Sequence, residues 1–178
     1  MSPILFAIII IAILLVVIIA GQPDVFAMSR TAKFTAPPEK IFPHVNDFHA
    51  WEAWSPWAKL DPNSKSSFEG PAAGTGAVMK WEGNSRIGVG KMTIIESQPN
   101  SVIRFRLDFE KPMKSTQTAE FSFLPEGNGT VVQWSMAGKN SAMGRVMGLF
   151  MNCEKMIAAQ FDKGLANLKA VVCGGNTV

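Results

Sequence analysis

The chain has 178 residues, of which 17 are basic and 14 acidic, giving a formal net charge of +3 at pH 7. These charges are spread along the sequence without a run, whereas nucleic-acid-binding proteins cluster Lys and Arg, so we expect no nucleic-acid partner. The two cysteines, Cys153 and Cys173, form neither a disulfide framework nor a metal-ligand spacing. We expect both to be buried as free thiols.

An unbroken apolar run opens the chain. Residues 4–20 contain no polar side chain, and Asp24 is the first charged side chain. A helix needs about 20 apolar residues to cross a hydrocarbon core of about 30 Å. We therefore predict a transmembrane anchor at residues 1–21 and a short linker at 22–24. The alternative is a cleaved secretory signal, which would have a charged start and a shorter run of about 7–15 apolar residues.

Two basic residues indicate the orientation of this single-pass membrane protein. Arg30 and Lys33 follow the apolar run closely, whereas no Lys or Arg precedes it. The positive-inside rule therefore favours a cytoplasmic domain. A slightly basic surface also suits anionic lipid, so we expect the membrane to be a partner.

The pattern and length of the next segment, residues 25–172, predict one domain, and a tail follows at 173–178. A strand over 25–34 is expected to end before Pro37 and Pro38, because a residue that precedes proline is held extended. Two short helices follow, and Trp51 and Trp54 share a face of the second. From Lys65 the apolar residues alternate with polar ones in about six segments, which predicts an antiparallel meander.

After residue 138 the spacing of the apolar residues changes from the period of a strand to that of a helix. Apolar residues then recur at steps of three and four, at Met147, Phe150, Ile157, Phe161, Leu165, Leu168 and Val172. This pattern predicts one long C-terminal helix that ends at Gly174. The fold class is therefore α+β, with a curved antiparallel sheet whose apolar face is covered by the long helix.

Several segments in this order are similar to those of the SRPBCC superfamily. They include residues 36–42 (APPEKIF), 51–57 (WEAWSPW), 81–84 (WEGN), 88–92 (GVGKM), 129–134 (GTVVQW) and 161–169 (FDKGLANLK). The chain most resembles the bacterial branch named polyketide cyclase/dehydrase and lipid transport, with START and birch-pollen-allergen proteins as wider relatives. The resemblance covers residues 25–172 and implies a helix-grip fold with a cavity between the sheet and the last helix.

Few residues are suited to catalysis. His44 and His49 are the only histidines and flank Asp47; they would serve proton transfer at a cavity mouth or, more simply, capping and solvation. No third ligand lies at metal spacing, and we expect neither a metal nor another cofactor. Arg104 and Arg106 alternate with apolar residues on one strand, which predicts that they point to solvent.

Apolar residues form the predicted ligand site. The cavity lining is expected to comprise Trp54, Trp81, Phe105, Leu107, Phe121, Phe123, Trp134, Met136, Phe150, Ile157 and Phe161. Ligand pockets are typically apolar with few polar groups, although the same residues would also make a solid core. Trp51, Trp54 and Trp57 are either a lid with interfacial anchors or a plug that closes one end.

Three functions follow from this sequence. The first is membrane-anchored binding of a small hydrophobic or lipid-like molecule in the cavity. The second is a cyclase, dehydrase or hydrolase that uses the same cavity, for which no convergent acid and base are visible. The third is a solidly packed scaffold domain that binds a membrane partner.

Overall fold

A computed structural model describes residues 3–140, residue 145 and residues 153–174. Its first element is helix α1 (Pro3–Ala20), which has a mean hydropathy of 3.5 and buries none of its described side chains. In length and composition α1 is sufficient to cross a membrane. A signal sequence near the N-terminus has the same properties.

A seven-stranded antiparallel sheet forms the body of the domain. The strands lie in the order β1-β7-β6-β5-β4-β3-β2. Their bounds are β1 (Val25–Phe34), β2 (Lys65–Glu69), β3 (Val78–Glu82), β4 (Val89–Gln98), β5 (Val102–Lys111), β6 (Ser115–Glu126) and β7 (Gly129–Lys139). The predicted meander is confirmed, because β2 to β6 each pair with the next strand along the chain.

Alternation of side chains gives the curved sheet one apolar face, here called the inner face. Along β7 every second residue from Thr130 to Met136 is buried, and the residues between them are only half-buried. In β5, Ile103 and Phe105 are fully buried whereas Arg104 and Arg106 lie on the opposite, outer face. The predicted outward direction of these two arginines is therefore correct.

Among the described residues, three helical segments cover the inner face. They are α2 (Pro38–Asn46), a 3-10 helix (Phe48–Ala53) and the C-terminal helix α3 (Cys153–Cys173). α3 contributes the buried residues Phe161, Leu165 and Leu168. The helix-grip architecture predicted from the sequence is thus present. The predicted first turns of the last helix, including Met147 and Phe150, lie outside the described residues.

Gly164 sets how closely α3 approaches the sheet. A Cβ at this position would lie 2.7 Å from the Trp134 ring and 3.2 Å from Pro56. Only glycine therefore allows the helix backbone to pack directly on this indole. An ion pair between Arg30 of β1 and Asp162 of α3, with an N–O distance of 3.2 Å, links the helix to the edge strand.

Candidate functional site

The inner face is divided into a closed half and an open half. Seven of the predicted lining residues are at most 7% exposed: Trp54, Phe105, Phe121, Phe123, Trp134, Met136 and Phe161. Three others, Trp81, Leu107 and Ile157, are only partly buried. The eleventh, Phe150, lies outside the described residues. The structure thus places the described lining residues on one face but gives them two different environments.

An aromatic core fills the closed half, and we define it as Trp51, Trp54, Phe105, Phe121, Trp134 and Phe161. The Trp134 and Phe161 rings stack with their centroids 4.0 Å apart and an interplanar angle of 6°. Phe121 stacks on Trp134, with centroids 4.6 Å apart, and meets Trp51, Trp54 and Phe105 edge-to-face. Edge-to-face and offset-stacked rings at such distances are favourable beyond the area they bury. These residues are packed as a solid core.

The tryptophan cluster belongs largely to this core. Trp51 and Trp54 are 5% and 1% exposed, and their ring centroids are 4.7 Å apart. Each indole N–H donates to a backbone carbonyl of α2, Trp51 to Val45 and Trp54 to His44, at 2.9 Å in both cases. Because their polar edges are satisfied inside the protein, these two indoles are not available to a membrane interface. The plug interpretation is therefore correct and the lid with interfacial anchors is wrong for this pair.

The open end, as we define it, consists of six half-buried apolar residues on the inner face: Phe26, Met79, Trp81, Leu107, Phe109 and Ile157. Five of them lie on strands, and Ile157 lies on α3 one turn before Phe161. Phe26 and Met79 were not among the predicted lining residues. Met79 alternates with Lys80 on the short strand β3, whereas Phe26 lies between the apolar residues Val25 and Ala27 and has no such signal in the sequence.

Trp81 is the largest side chain of the open end, and the backbone around it fixes its position. Its indole N–H donates to the Ile87 carbonyl at 3.1 Å. A Cβ at Gly90, which pairs with Trp81 across the sheet, would lie 2.6 Å from the indole ring. Phe109 meets the ring edge-on, with centroids 5.6 Å apart. The absence of a side chain at position 90 therefore lets the indole lie flat over β4.

Gln117 is the long polar side chain among the strand positions of the open end. It faces inward between Leu107 on β5 and Gly138 on β7. A Cβ at Gly138 would lie 2.9 Å from the Gln117 side chain and 3.0 Å from the Phe26 ring. An amide that can both donate and accept hydrogen bonds thus lies within an apolar surface. Sequence reasoning missed this residue, although it is in phase with Ala119 and Phe121.

The titratable residues considered from the sequence are not part of the open end, although His49 reaches its border through Phe68, the cross-strand partner of Met79. The exposed His49 contacts Asp47 at 2.8 Å and lies against Phe68, with a ring distance of 4.1 Å, while the Asp47 side chain caps the 3-10 helix. The simpler capping interpretation therefore fits this pair. Cys173 is a free thiol, half-buried beside Thr35. The Cys153 side chain is outside the description.

Ion pairs cover much of the outer face. Hydrogen bonds from Arg104 to Glu120 and Glu96 raise the pKa of its guanidinium. At Asp108, burial raises the pKa, but hydrogen bonds from Thr116 and Arg106 outweigh this effect and lower it below the ordinary value. Within the described part of the chain, two open depressions of about 490 and 600 Å³ also lie on this face. They are shallow and open and are lined by both polar and apolar residues, so they differ from the enclosed apolar cavity expected from the sequence.

Comparison with known proteins assigns the family. Residues 25–172 match the family model described as polyketide cyclase / dehydrase and lipid transport. No curated protein matches the chain.

Solved structures show the same fold at low sequence identity. Protein MLL2253 from Mesorhizobium loti is 17% identical, with a TM-score of 0.60 over 86% of this chain and 100% of that chain. Ara h 8.0201 is 11% identical, with a TM-score of 0.56 over 84% of this chain and 99% of its own. The di-domain ARO/CYC BexL from the BE-7585A biosynthetic pathway is 12% identical, with a TM-score of 0.60 over 88% of this chain and 53% of its own. With its helix-grip fold and its family match over residues 25–172, this chain belongs to the polyketide cyclase/dehydrase and lipid transport family of the SRPBCC superfamily.

Proposed function

We propose that this protein binds a small hydrophobic or lipid-like molecule between the sheet and α3, and that α1 anchors it in a membrane. The observation that carries this proposal is the contrast within the inner face. The aromatic core is closed, whereas the side chains of the open end keep part of their apolar surface accessible. A ligand that covered this surface would gain about 25 cal/mol for each Å² of apolar area removed from water.

The chemistry of the open end supports binding of a mostly apolar ligand with one polar group. Its inner-face strand positions carry aromatic and aliphatic side chains, Gly90 and Gly138, and the polar residues Ser66, Ser115 and Gln117. Pockets for small molecules usually combine such an apolar lining with a few polar groups that orient the ligand. Gln117 is suited to orient a ligand carbonyl, hydroxyl or carboxyl group.

Binding is better supported than acid–base catalysis. A cyclase or hydrolase needs an acid and a base that converge on the substrate. The described inner-face strand positions of the open end include no Asp, Glu or His, and the one charged residue in phase with Leu107 and Phe109 is Lys111, which is exposed at the end of β5. The residues that are described on this surface therefore provide contacts for a ligand, and the proposal does not include a reaction.

Filling the open end tests the proposal. In Leu107→Trp a half-buried inner-face leucine becomes an indole that occupies ligand space. Leu124→Trp makes the same replacement on the outer face, where Leu124 is 58% exposed, and serves as the matched control. Both variants and the wild type are purified from membranes as full chains, and native mass spectrometry detects molecules that remain bound after detergent is removed.

We expect an apolar adduct on the wild type and on Leu124→Trp and its loss from Leu107→Trp. Thermal unfolding of each variant checks that the fold is intact. A wild type without any adduct, or equal adducts on all three proteins, would contradict the proposed site.

A further inference from the structure

We propose that one end of the domain, the proximal rim, docks on the surface of an anionic bilayer through the hairpin that joins β5 to β6. The proximal rim is defined as the start of β1 and β2, the end of β7, the β3–β4 turn and the β5–β6 hairpin. The opposite end is called the distal rim. This inference rests on the proposed anchoring by α1.

Chain connectivity places the proximal rim next to the bilayer. α1 ends at Ala20 and β1 begins at Val25, so the intervening chain spans at most roughly 18 Å. The last linker residue is held at the rim, because the Asn140 N–H donates to the Asp24 carbonyl at 2.7 Å. Arg145 also forms an ion pair with the Asp24 carboxylate at 2.9 Å. A domain fixed so close to its membrane helix must present this end to the headgroups.

Charge distinguishes the two rims. The proximal rim carries five exposed basic residues, Lys65, Arg86, Lys111, Lys114 and Lys139, against the acidic residues Asp24, Glu82 and Glu110. Counted in the same way, with the strand ends included, the distal rim carries Lys33 and Lys40 against the acidic residues Glu39, Glu69 and Glu126. Among the described residues, the end that connectivity places at the membrane is thus the basic one. Anionic lipid attracts such a surface.

The β5–β6 hairpin combines charge with an apolar tip. Its turn is Lys111-Pro112-Met113-Lys114, and Met113 is 37% exposed between the two lysines. Val25 at the start of β1 is also exposed, at 57%. Apolar residues flanked by lysines are typical of segments that insert at the boundary between headgroups and acyl chains. Docking would also place Phe26 and Phe109 of the open end beside the bilayer, from which an apolar ligand would enter.

A pair of labelled hairpins tests the docking. Both native cysteines are replaced by serine in the full chain, and a small fluorophore is attached through Met113→Cys on the proximal rim or Asn128→Cys on the distal rim. Each protein is placed in nanodiscs of phosphatidylcholine, with or without phosphatidylglycerol, that contain lipid with a spin label at the headgroup. Quenching reports contact between the fluorophore and the bilayer surface.

We expect strong quenching at position 113 in anionic nanodiscs and little at position 128. High salt should reduce it, because screening weakens exposed charge interactions. A lysine near an anionic surface contributes roughly a fivefold factor to binding, so Lys111→Glu with Lys114→Glu should weaken docking by at least about 25-fold. The matched control, Lys40→Glu with Lys169→Glu, reverses two exposed charges near the distal rim and should leave quenching unchanged.

Two results would overturn the inference, and they are distinguishable. Docking of this rim is refuted if quenching is equal at both hairpins. It is also refuted if quenching at position 113 changes neither when anionic lipid is left out nor when Lys111 and Lys114 are reversed in charge. Extraction of the full chain from membranes by alkaline carbonate refutes the anchor and the docking with it. Neither result depends on adduct loss in Leu107→Trp, so ligand binding is judged separately.

Discussion

Replacing Phe121 with alanine tests how solidly the aromatic core is packed. Phe121 is 0% exposed, and its ring lies within 6.4 Å, centroid to centroid, of the rings of Trp51, Trp54, Phe105 and Trp134. Four large rings held by the sheet and two helical segments cannot collapse into the space that is left. We therefore expect the full cost of a buried Phe→Ala change, about 3–5 kcal/mol.

The matched variant is Phe109→Ala at the open end. Phe109 is only partly buried, so its truncation loses less than the full transfer free energy of a phenylalanine side chain and leaves no closed cavity, and we expect a loss of roughly 1–2 kcal/mol. Urea unfolding of the full chain, followed by tryptophan fluorescence, measures both variants. With a slope of roughly 2 kcal/mol/M, Phe121→Ala should lower the midpoint by about 2 M.

The comparison between the two variants decides the interpretation. A loss below about 2 kcal/mol in Phe121→Ala would be less than a solid core requires. It would mean that the surroundings relax or that a cavity already borders the ring. Equal losses in Phe121→Ala and Phe109→Ala would remove the distinction between the closed half and the open end.

Two further variants test single features of the fold. Gly164→Ala should destabilise the domain by about 1–3 kcal/mol, because its Cβ would overlap the Trp134 ring and outweigh the helix propensity gained; a raised melting temperature would contradict the close approach. Asp108→Asn should lower the melting temperature near neutral pH, since the folded state holds the pKa of Asp108 below 3.8. That stabilisation is present above the unfolded pKa and is lost as pH falls through the folded pKa, so the difference from wild type should vanish in acid. A difference that persists there would show that it does not arise from the charge of Asp108.

The local pattern of apolar and polar residues was sufficient to predict the strands and the face of the sheet to which their side chains point. In β5, Ile103 and Phe105 alternate with Arg104 and Arg106, and the period of two alone separates the inner face from the outer face. The Trp51–Trp54 pair was also placed correctly on one helical face. These features depend on neighbours within about four residues, which the sequence displays directly.

The extent of burial within the inner face could not be predicted in the same way. Phe105 and Phe109 lie on the same side of β5 and have similar sequence surroundings, yet one is fully buried and the other is half-buried. The difference depends on what surrounds each ring: Phe105 is beside Ile94 and packs against Trp51, whereas Phe109 is beside Gly90. Register between paired strands, which no single strand's pattern shows, decides which positions the helical segments cover.

The same register creates the basic surface of the proximal rim, which cannot be recognised from the order of charges along the chain. Along the chain, Lys65, Arg86, Lys111, Lys114 and Lys139 are separated and form no run. Antiparallel pairing returns the chain to the same end of the sheet after every second strand, which gathers them at one rim. The linker after α1 reaches that rim, so the proposed attachment to the membrane and the basic charge coincide there. A domain tethered by four residues therefore needs few additional contacts to hold a fixed orientation, since the tether already supplies a high local concentration at the bilayer.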